Sequence, residues 1–111
     1  MIDELVKTIR ERKHSNPDKS YTSSLLSRGL SECIDKLEEE FGELKKALNT
    51  KNNEVHEAAD LLYHLLVTLE AANIKFEDIL KELEKRKSQS GLEEKKNRSW
   101  VMMKIISLQK F

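Results

Sequence analysis

Three glutamates in the middle of the chain have a spacing that could bring their carboxylates together. An α-helix turns by about 100° per residue, so Glu39, Glu40 and Glu43 would fall within one arc of roughly 100°. Taken alone, the three are most typical of a solvated acidic face, with Lys45 and Lys46 close by. Grouped carboxylates are also the hard oxygen ligands that Mg²⁺ and Mn²⁺ prefer, so a metal site is the alternative.

A second group of polar side chains lies in a segment of unusual composition. Residues 57–72 are nearly apolar on every side, in a chain that is 36% charged, and such a helix is expected to be buried. Glu57, Asp60 and His64 nevertheless share one side of it, at i, i+3 and i+7. No Lys or Arg occurs between Lys51 and Lys75. We therefore expect either a metal ion or a cation from another helix to meet these carboxylates, because unpaired buried charges are very costly.

Apolar residues at helical intervals predict the elements that must position these groups. The first helix is expected to end near Lys13, before a polar loop. Thr22 is expected to cap a short helix that stops at Gly29, and Ser31 to cap the third helix. A polar break at 49–53 should end the third helix, and two more helices are predicted at about 54–72 and 76–87, with Asn73 as a left-handed stop between them. The apolar stripe of the third helix is Ile34, Leu37, Phe41, Leu44 and Leu48.

Composition narrows the class of protein. Of the 111 residues, 38% are hydrophobic, the 20 acidic and 20 basic side chains balance, and Gly and Pro number only 3 and 1. This is typical of a helical domain and gives no general case for nucleic-acid binding. The single cysteine, Cys33, cannot form an internal disulfide or a zinc site, and no run of 18 apolar residues occurs. We therefore expect a cytoplasmic protein with no membrane partner.

The expected fold is all-α, a bundle of four or five helices. Residues 1–87 should form the domain, and residues 88–111 a tail that is partly flexible or packed on a partner. The helix at 54–72 is long and mostly apolar for so small a chain, which favours a homodimer that buries more of it.

The paired carboxylates resemble the motif of a known enzyme group. Glu39-Glu40-x-x-Glu43 is followed after 13 residues by Glu57-x-x-Asp60. This is similar to the MazG-like all-α nucleotide pyrophosphatases, and in particular to the phosphoribosyl-ATP pyrophosphohydrolase family of histidine biosynthesis. The most specific part of the resemblance is EAADLLYHLL at 57–66, and the segments 11–13, 20–22 and 90–95 add to it.

The resemblance implies hydrolysis of phosphoribosyl-ATP to phosphoribosyl-AMP and pyrophosphate, with water attacking between the α and β phosphates. It also implies Mg²⁺, or Mn²⁺, as the cofactor, because a bound cation neutralises charge on phosphate oxygens. The implied metal ligands are Glu40, Glu43, Glu57 and Asp60, and Glu39 would orient the water or support the ligand shell. The candidate substrate-binding residues are Arg12, Ser20, Tyr21, Thr22, Lys36 and His64.

Each of these assignments has a structural alternative. The cations near Arg12 also suit the end of a helix, and His64 could be a hydrogen-bonded core histidine. Tyr63 is more typical of packing, and Cys33 of a small buried hydrophobic residue. Two other functions stay open: a house-cleaning (d)NTP pyrophosphatase of the same superfamily, and a non-catalytic helical adaptor whose carboxylates pair with basic residues.

Overall fold

The structure, a computed structural model, describes residues 1–87 of the 111-residue chain. Within this range the secondary structure is helical, with no strand, so the predicted all-α fold is confirmed. Among these helices, none combines the length and the apolar character that crossing a bilayer requires. The tail predicted at 88–111 lies outside the described residues. The helices are α1 (Ile2–Arg12), α2 (Tyr21–Arg28), α3 (Leu30–Thr50), α4 (Glu54–Ala71) and α5 (Phe76–Lys87).

A short turn folds α3 and α4 into a helical hairpin. Lys51 and Asn53 both adopt left-handed backbone conformations, with φ of 56° and 59°. Helices joined by so short a connection run antiparallel and side by side, and α3 packs most extensively on α4. Glu40 and His64 are equally far from Asn52 along the chain, so the hairpin places them opposite each other.

One apolar core joins the first four helices. Val6 and Ile9 of α1 are buried with Leu25 of α2 and Cys33 of α3. Helix α4 completes the core with Leu66 and Val67. Burial of each large apolar side chain contributes about 1.5–3 kcal/mol to the free energy of unfolding. The expectation that Cys33 is a small buried hydrophobic residue is confirmed, since it is 2% exposed.

The starts of α2 and α3 differ from the sequence prediction. Ser20, not Thr22, is the N-cap of α2, because its extended backbone aims the hydroxyl at the N–H of Ser23. Ser31 is not a cap but the second residue of α3, since Gly29 is the N-cap of this helix. Gly29 has a φ of 96°, and this conformation lets one residue end α2 and begin α3. Helix α3 extends two residues into the polar break predicted at 49–53, as far as Thr50, and the rest of the break is confirmed as the turn before α4.

The end of α1 is tied to the end of α4. Lys13 Nζ donates a hydrogen bond to Asn73 Oδ1 over 2.8 Å. Glu70 accepts ion pairs from Arg10 at 3.5 Å and from Lys13 at 3.7 Å. Asn73 has a φ of 59°, which confirms the predicted left-handed stop. Because such partly exposed pairs contribute little free energy, they orient α1 more than they stabilise it.

The apolar stripe predicted for α3 is mostly exposed in the single chain. Phe41 is 53% exposed and Ile34 47%, whereas the neighbouring Cys33 and Ala47 are buried. The expectation that α4 is buried on most sides is also wrong for one chain, since Leu65 is 40% exposed. These side chains form an open apolar groove between α3 and α4, lined by Ile34, Leu37, Phe41, Leu61 and Leu65.

The chain divides into two compact units, and the first is Met1–Phe76. It contains α1 to α4 and all the candidate site residues. The second begins at Glu77, and the structure describes its residues 77–87, the remainder of α5. The boundary expected after residue 87 stays a prediction.

Candidate active site

Glu40 and His64 meet at the centre of the hairpin. The side chains are 12% and 7% exposed, and His64 Nε2 lies 3.8 Å from Glu40 Oε1. Burial and then the charge of Asp60 raise the pKa of Glu40, while Lys36 opposes this shift. Burial also lowers the pKa of His64, so its imidazole is neutral at neutral pH. His64 is therefore a buried residue, as the structural alternative predicted, and it is also the neighbour of the candidate ligand Glu40.

Glu57 and Asp60 lie on the first turns of α4 together with a histidine that the sequence analysis missed. Ligand atoms of His56, Glu57 and Asp60 all lie within 4.8 Å of one another. His56 Nε2 is 3.3 Å from Asp60 Oδ2, and the Asp60 side chain is 42% exposed. The expectation that this side of α4 is buried is therefore wrong for Asp60, and the imidazole beside its carboxylate belongs to the same helix. The i, i+4 spacing of His56 and Asp60 was the available signal.

Glu43 reaches the same region from α3. It lines a cleft of about 150 Å³ together with Glu57 of α4. The turn residues Asn52 and Asn53 and the side chains of Lys46 and Thr50 form the rest of this cleft, with Ala47. The hairpin thus brings carboxylates from two helices to one end of the molecule's first unit.

The donor set fits a hard divalent cation. Glu40 on α3 is an electrostatic neighbour of both Asp60 and Glu57 on α4, and their charges raise its pKa. Carboxylates whose charges raise the pKa of a neighbouring carboxyl favour a bound cation, and carboxylate oxygens are the ligands that Mg²⁺ and Mn²⁺ prefer. His56 adds a nitrogen donor that is 67% exposed.

Glu39 points to a different partner from Glu40. Its carboxylate is 61% exposed and lies 3.4 Å from Lys36 Nζ, one turn earlier on α3. The pKa of Lys36 is raised, most by nearby Tyr21 and then by its hydrogen bond to Glu39. Lys36 therefore stays cationic between the start of α2 and the carboxylates.

The first turn of α2 stands beside α4. The hydroxyls of Thr22 and Tyr63 share a hydrogen bond. The Tyr21 ring lies nearly parallel to the Tyr63 ring, with centroids 6.4 Å apart, and edge-on to His64 at 6.1 Å. Tyr63 packs against the core as expected, but its hydroxyl also has a specific partner.

Arg12 and Ser20 border this turn. The Ser20 hydroxyl accepts a hydrogen bond from the N–H of Ser23 over 3.2 Å, as the cap of α2. The Ser23 hydroxyl in turn donates to the carbonyl of Arg12, which fixes the end of α1 against α2. The Arg12 side chain is exposed. The structure thus brings Tyr21, Thr22, Lys36 and His64 into one group and gives Ser20 a capping role.

An all-α fold with carboxylates on two adjacent helices is consistent with the MazG-like class that the sequence resembles. A family model described as "Phosphoribosyl-ATP pyrophosphohydrolase" matches residues 2–87, and the chain belongs to this family. The match extends over all five described helices.

Curated relatives agree with this assignment. The phosphoribosyl-ATP pyrophosphatase of Rhizobium etli is 43% identical over 99 residues, which cover 87% of this chain and 92% of that protein. The protein of the same name from Roseobacter denitrificans is 41% identical, over 87% of this chain and 94% of its own length. The chain also aligns with 43% of the histidine biosynthesis bifunctional protein HisIE of Helicobacter hepaticus, at 43% identity over 88% of this chain.

Proposed function

We propose that this chain hydrolyses phosphoribosyl-ATP to phosphoribosyl-AMP and pyrophosphate, the second step of histidine biosynthesis. Family membership and the names of relatives about 40% identical over most of the chain support the substrate. The single observation that supports the metal chemistry is the convergence of carboxylates from α3 and α4 at the hairpin, where the charges of Asp60 and Glu57 raise the pKa of Glu40.

The proposed cofactor is Mg²⁺, with Mn²⁺ as a substitute, held by Glu40, Glu43, Glu57 and Asp60. When bound, the cation supplies charge neutralisation for the phosphate oxygens around the linkage that breaks. Support for this ligand set comes from the cleft that Glu43 and Glu57 share and from the electrostatic coupling of Glu40 to Asp60. His56 would orient Asp60 across their 3.3 Å contact.

The remaining side chains of the site divide the other tasks. Glu39 is proposed to orient the attacking water or to support the ligand shell, because its carboxylate is exposed and is an electrostatic neighbour of Glu40. Lys36 would lie beside the phosphates as a cation, within reach of Glu39. Neutral His64 would hold Glu40 in place without competing with the cation for its charge.

The substrate would approach from the first turn of α2. Tyr21 is half exposed there and lies above His64 and Tyr63, so its ring is available to a ligand. Thr22 is proposed to contribute a hydroxyl, and Ser20 to present this turn by capping the helix. Arg12, exposed at the end of α1, is proposed to bind a phosphate of the substrate.

We also propose that the active form is a homodimer. The groove between α3 and α4 has a volume of about 520 Å³, and five of its six lining residues are apolar. Exposed apolar patches of this kind mark interaction surfaces, and a second copy of the same helices would cover both grooves at once. The proposal needs no nucleic-acid or membrane partner, and the proposed location of the reaction is the cytoplasm.

A comparison of substrates tests the proposed function. The purified chain would be incubated with Mg²⁺ and either phosphoribosyl-ATP or a set of dNTPs, with pyrophosphate release as the readout. We expect kcat/KM to be much higher for phosphoribosyl-ATP. A higher kcat/KM for dNTPs would indicate the house-cleaning function instead. No release of pyrophosphate from either substrate would favour a non-catalytic helical adaptor.

A further inference from the structure

Tyr63 joins the first turn of α2 to the middle of α4. Its hydroxyl shares a hydrogen bond with the hydroxyl of Thr22. Its ring stacks on Tyr21, with an interplanar angle of 21°. Tyr63 therefore contacts two consecutive residues of the turn that is proposed to meet the substrate.

The same ring also faces the carboxylate side of the hairpin. Its centroid lies 5.0 Å from the His64 ring, in an edge-on arrangement at 78°. His64 Nε2 is in turn 3.8 Å from the Glu40 carboxylate. The Tyr63 ring is thus in contact with both the α2 turn and the residue that approaches Glu40.

We propose that Tyr63 is a positioning residue that holds the first turn of α2 in the orientation in which it binds phosphoribosyl-ATP. The inference rests on the proposed function, but it assigns a role that the sequence analysis did not give to Tyr63. Tyr63 acts through Thr22 and Tyr21, because it is partly buried against the core whereas Tyr21 is 53% exposed.

The hydroxyl of Tyr63 makes the bond to Thr22, whereas the ring makes the packing contacts, so removing the hydroxyl alone distinguishes a positioning role from a packing role. Burial raises the pKa of Tyr63, so the phenol stays neutral and keeps its proton for the shared hydrogen bond. Tyr63→Phe retains the ring, the stack on Tyr21 and the contact with His64, and removes only the bond to Thr22. If Tyr63 only filled space, this variant would bind substrate as the wild type does.

The size of the effect follows from the hydrogen bond that is lost. Without it, the turn of α2 spends part of its time away from the orientation that binds substrate. The apparent affinity for substrate then falls in proportion to the fraction of molecules that keep this orientation. A net hydrogen bond corresponds to a change of about 2- to 12-fold in such an equilibrium. The carboxylates on α3 and α4 are untouched, so the turnover of bound substrate should change little.

The experiment is a double-mutant cycle on KM. Pyrophosphate release from phosphoribosyl-ATP would be measured for wild type, Tyr63→Phe, Thr22→Val and the double variant. We expect KM to rise by about 2- to 12-fold in Tyr63→Phe, with kcat within about twofold of wild type. Thr22→Val should raise KM at least as much, because it removes the same bond and also a hydroxyl proposed to meet the substrate. The double variant should be no worse than Thr22→Val alone, because the Tyr63 hydroxyl acts only through that bond.

Thr68→Val is the matched control. It also removes a hydroxyl of α4 that bonds to another helix, at the carbonyl of Cys33, and its second bond goes to the carbonyl of His64 within α4. It should lower Tm and leave KM unchanged, so an effect of stability alone would appear in this variant too.

The possible results separate the two proposals. A wild-type KM in Tyr63→Phe, or KM effects of Tyr63 and Thr22 that simply add, would overturn the positioning role and leave the proposed function intact. A loss of kcat with unchanged KM would also overturn it, since the hydroxyl would then act on the reaction itself. If the wild-type chain releases no pyrophosphate from phosphoribosyl-ATP, the proposed function fails and the role of Tyr63 fails with it.

Discussion

At the scale of single residues, the site depends on negative charges held close together. The pKa of Glu40 is raised by burial and by Asp60, which means that its ionised form is costly in these surroundings. A site that binds a cation benefits from this arrangement, because the cation relieves the repulsion. Removing one charge should therefore harm catalysis without harming the fold.

Asp60→Asn and Glu43→Gln test this consequence. Each keeps the shape of the side chain and removes one charge from the proposed ligand set. We expect kcat to fall by at least roughly 10²-fold, the scale observed when one group that stabilises a transition state is lost. Circular dichroism should show a helical fold and an unchanged or higher Tm, since carboxylate repulsion is relieved.

Glu38→Gln is the matched control for these variants. Glu38 is exposed on α3 and lines the apolar groove rather than the acidic cleft, so this variant should keep the wild-type rate. Near-normal rates in Asp60→Asn and Glu43→Gln would refute the ligand assignment. Unfolding of both would show that these carboxylates are structural, as the adaptor function requires.

Cys33 provides a residue-scale test of the core. Burial, and to a smaller degree Glu32, raise the pKa of its thiol. A group with a raised pKa in the folded state keeps its contribution to stability below its ordinary pKa and loses it as pH rises through the folded value. The free energy of unfolding of wild type should therefore fall at alkaline pH, above the ordinary range of a thiol, more than that of Cys33→Ala.

Alkylation measures the same burial directly. At pH 8, iodoacetamide should modify Cys33 much more slowly in the folded chain than in urea, because the thiolate reacts and the thiol is 2% exposed. Equal rates in the two conditions would show that α3 does not pack on α2 as the structure has it.

The sequence located the candidate ligands but not all of their neighbours. Helical spacing alone placed Glu57, Asp60 and His64 on one side of a helix, and the structure agrees. It missed His56, because the i, i+4 spacing from Asp60 is the signal that marks this histidine, and that spacing is common in helices. The ligand roles themselves stay predictions.

At the scale of helices, the hairpin of α3 and α4 determines which residues face each other. Two left-handed residues, Lys51 and Asn53, make the turn short enough to set its register. Neither glycine nor proline occurs in this turn, so the sequence showed a polar break but not where α3 ends. For the same reason the sequence could not show that Glu40 would meet His64.

The cap of α2 gives a test at this scale. Ser20→Ala removes the hydroxyl that accepts from the N–H of Ser23, and the free energy of unfolding should fall by about 1 kcal/mol. Ser20→Asp keeps an acceptor of similar reach and should retain wild-type stability in urea denaturation. If both variants lose stability equally, the capping role is wrong.

The missed caps have a common physical cause. Thr22 and Ser31 have the right chemistry for a cap, but cap position depends on the extended backbone conformation of one residue. Ser20 has that conformation, with φ of −144° and ψ of 126°. Several serines and threonines lie within 20–31, so composition alone did not distinguish them.

At the scale of the whole molecule, the exposed apolar groove is the feature that a single chain leaves unexplained. Periodicity predicted an apolar stripe through Ile34 and Phe41, and the structure leaves both side chains about half exposed. The pattern is the same whether a stripe is covered by the same chain or by a second copy. Only the positions of Cys33 and Ala47, which take the inner side of α3, distinguish the two cases.

Phe41→Glu tests the proposed dimer. A charge in place of each Phe41 would lose the burial of a large apolar side chain, about 1.5–3 kcal/mol per copy. Since a twofold dimer contains the substitution twice, Kd for dimerisation should rise by at least roughly 10²-fold. Light scattering coupled to size exclusion should show dimer for wild type and monomer for the variant.

Ile2→Glu is the control for the dimer experiment. Ile2 is also exposed and apolar, but it lies at the start of α1 and outside the groove. This variant should remain dimeric. A monomeric wild type, or a Phe41→Glu variant that still forms dimers, would contradict the proposed assembly.

Metal-dependent release of pyrophosphate tests the central claim most directly. The wild-type chain would be assayed with phosphoribosyl-ATP after treatment with EDTA, and then after addition of Mg²⁺, Mn²⁺ or Ca²⁺. We expect no pyrophosphate in EDTA, full recovery with Mg²⁺ or Mn²⁺, and much weaker recovery with Ca²⁺, which prefers longer bonds and looser geometry. Full turnover in EDTA would contradict the proposal that the hairpin carboxylates act by holding a divalent cation.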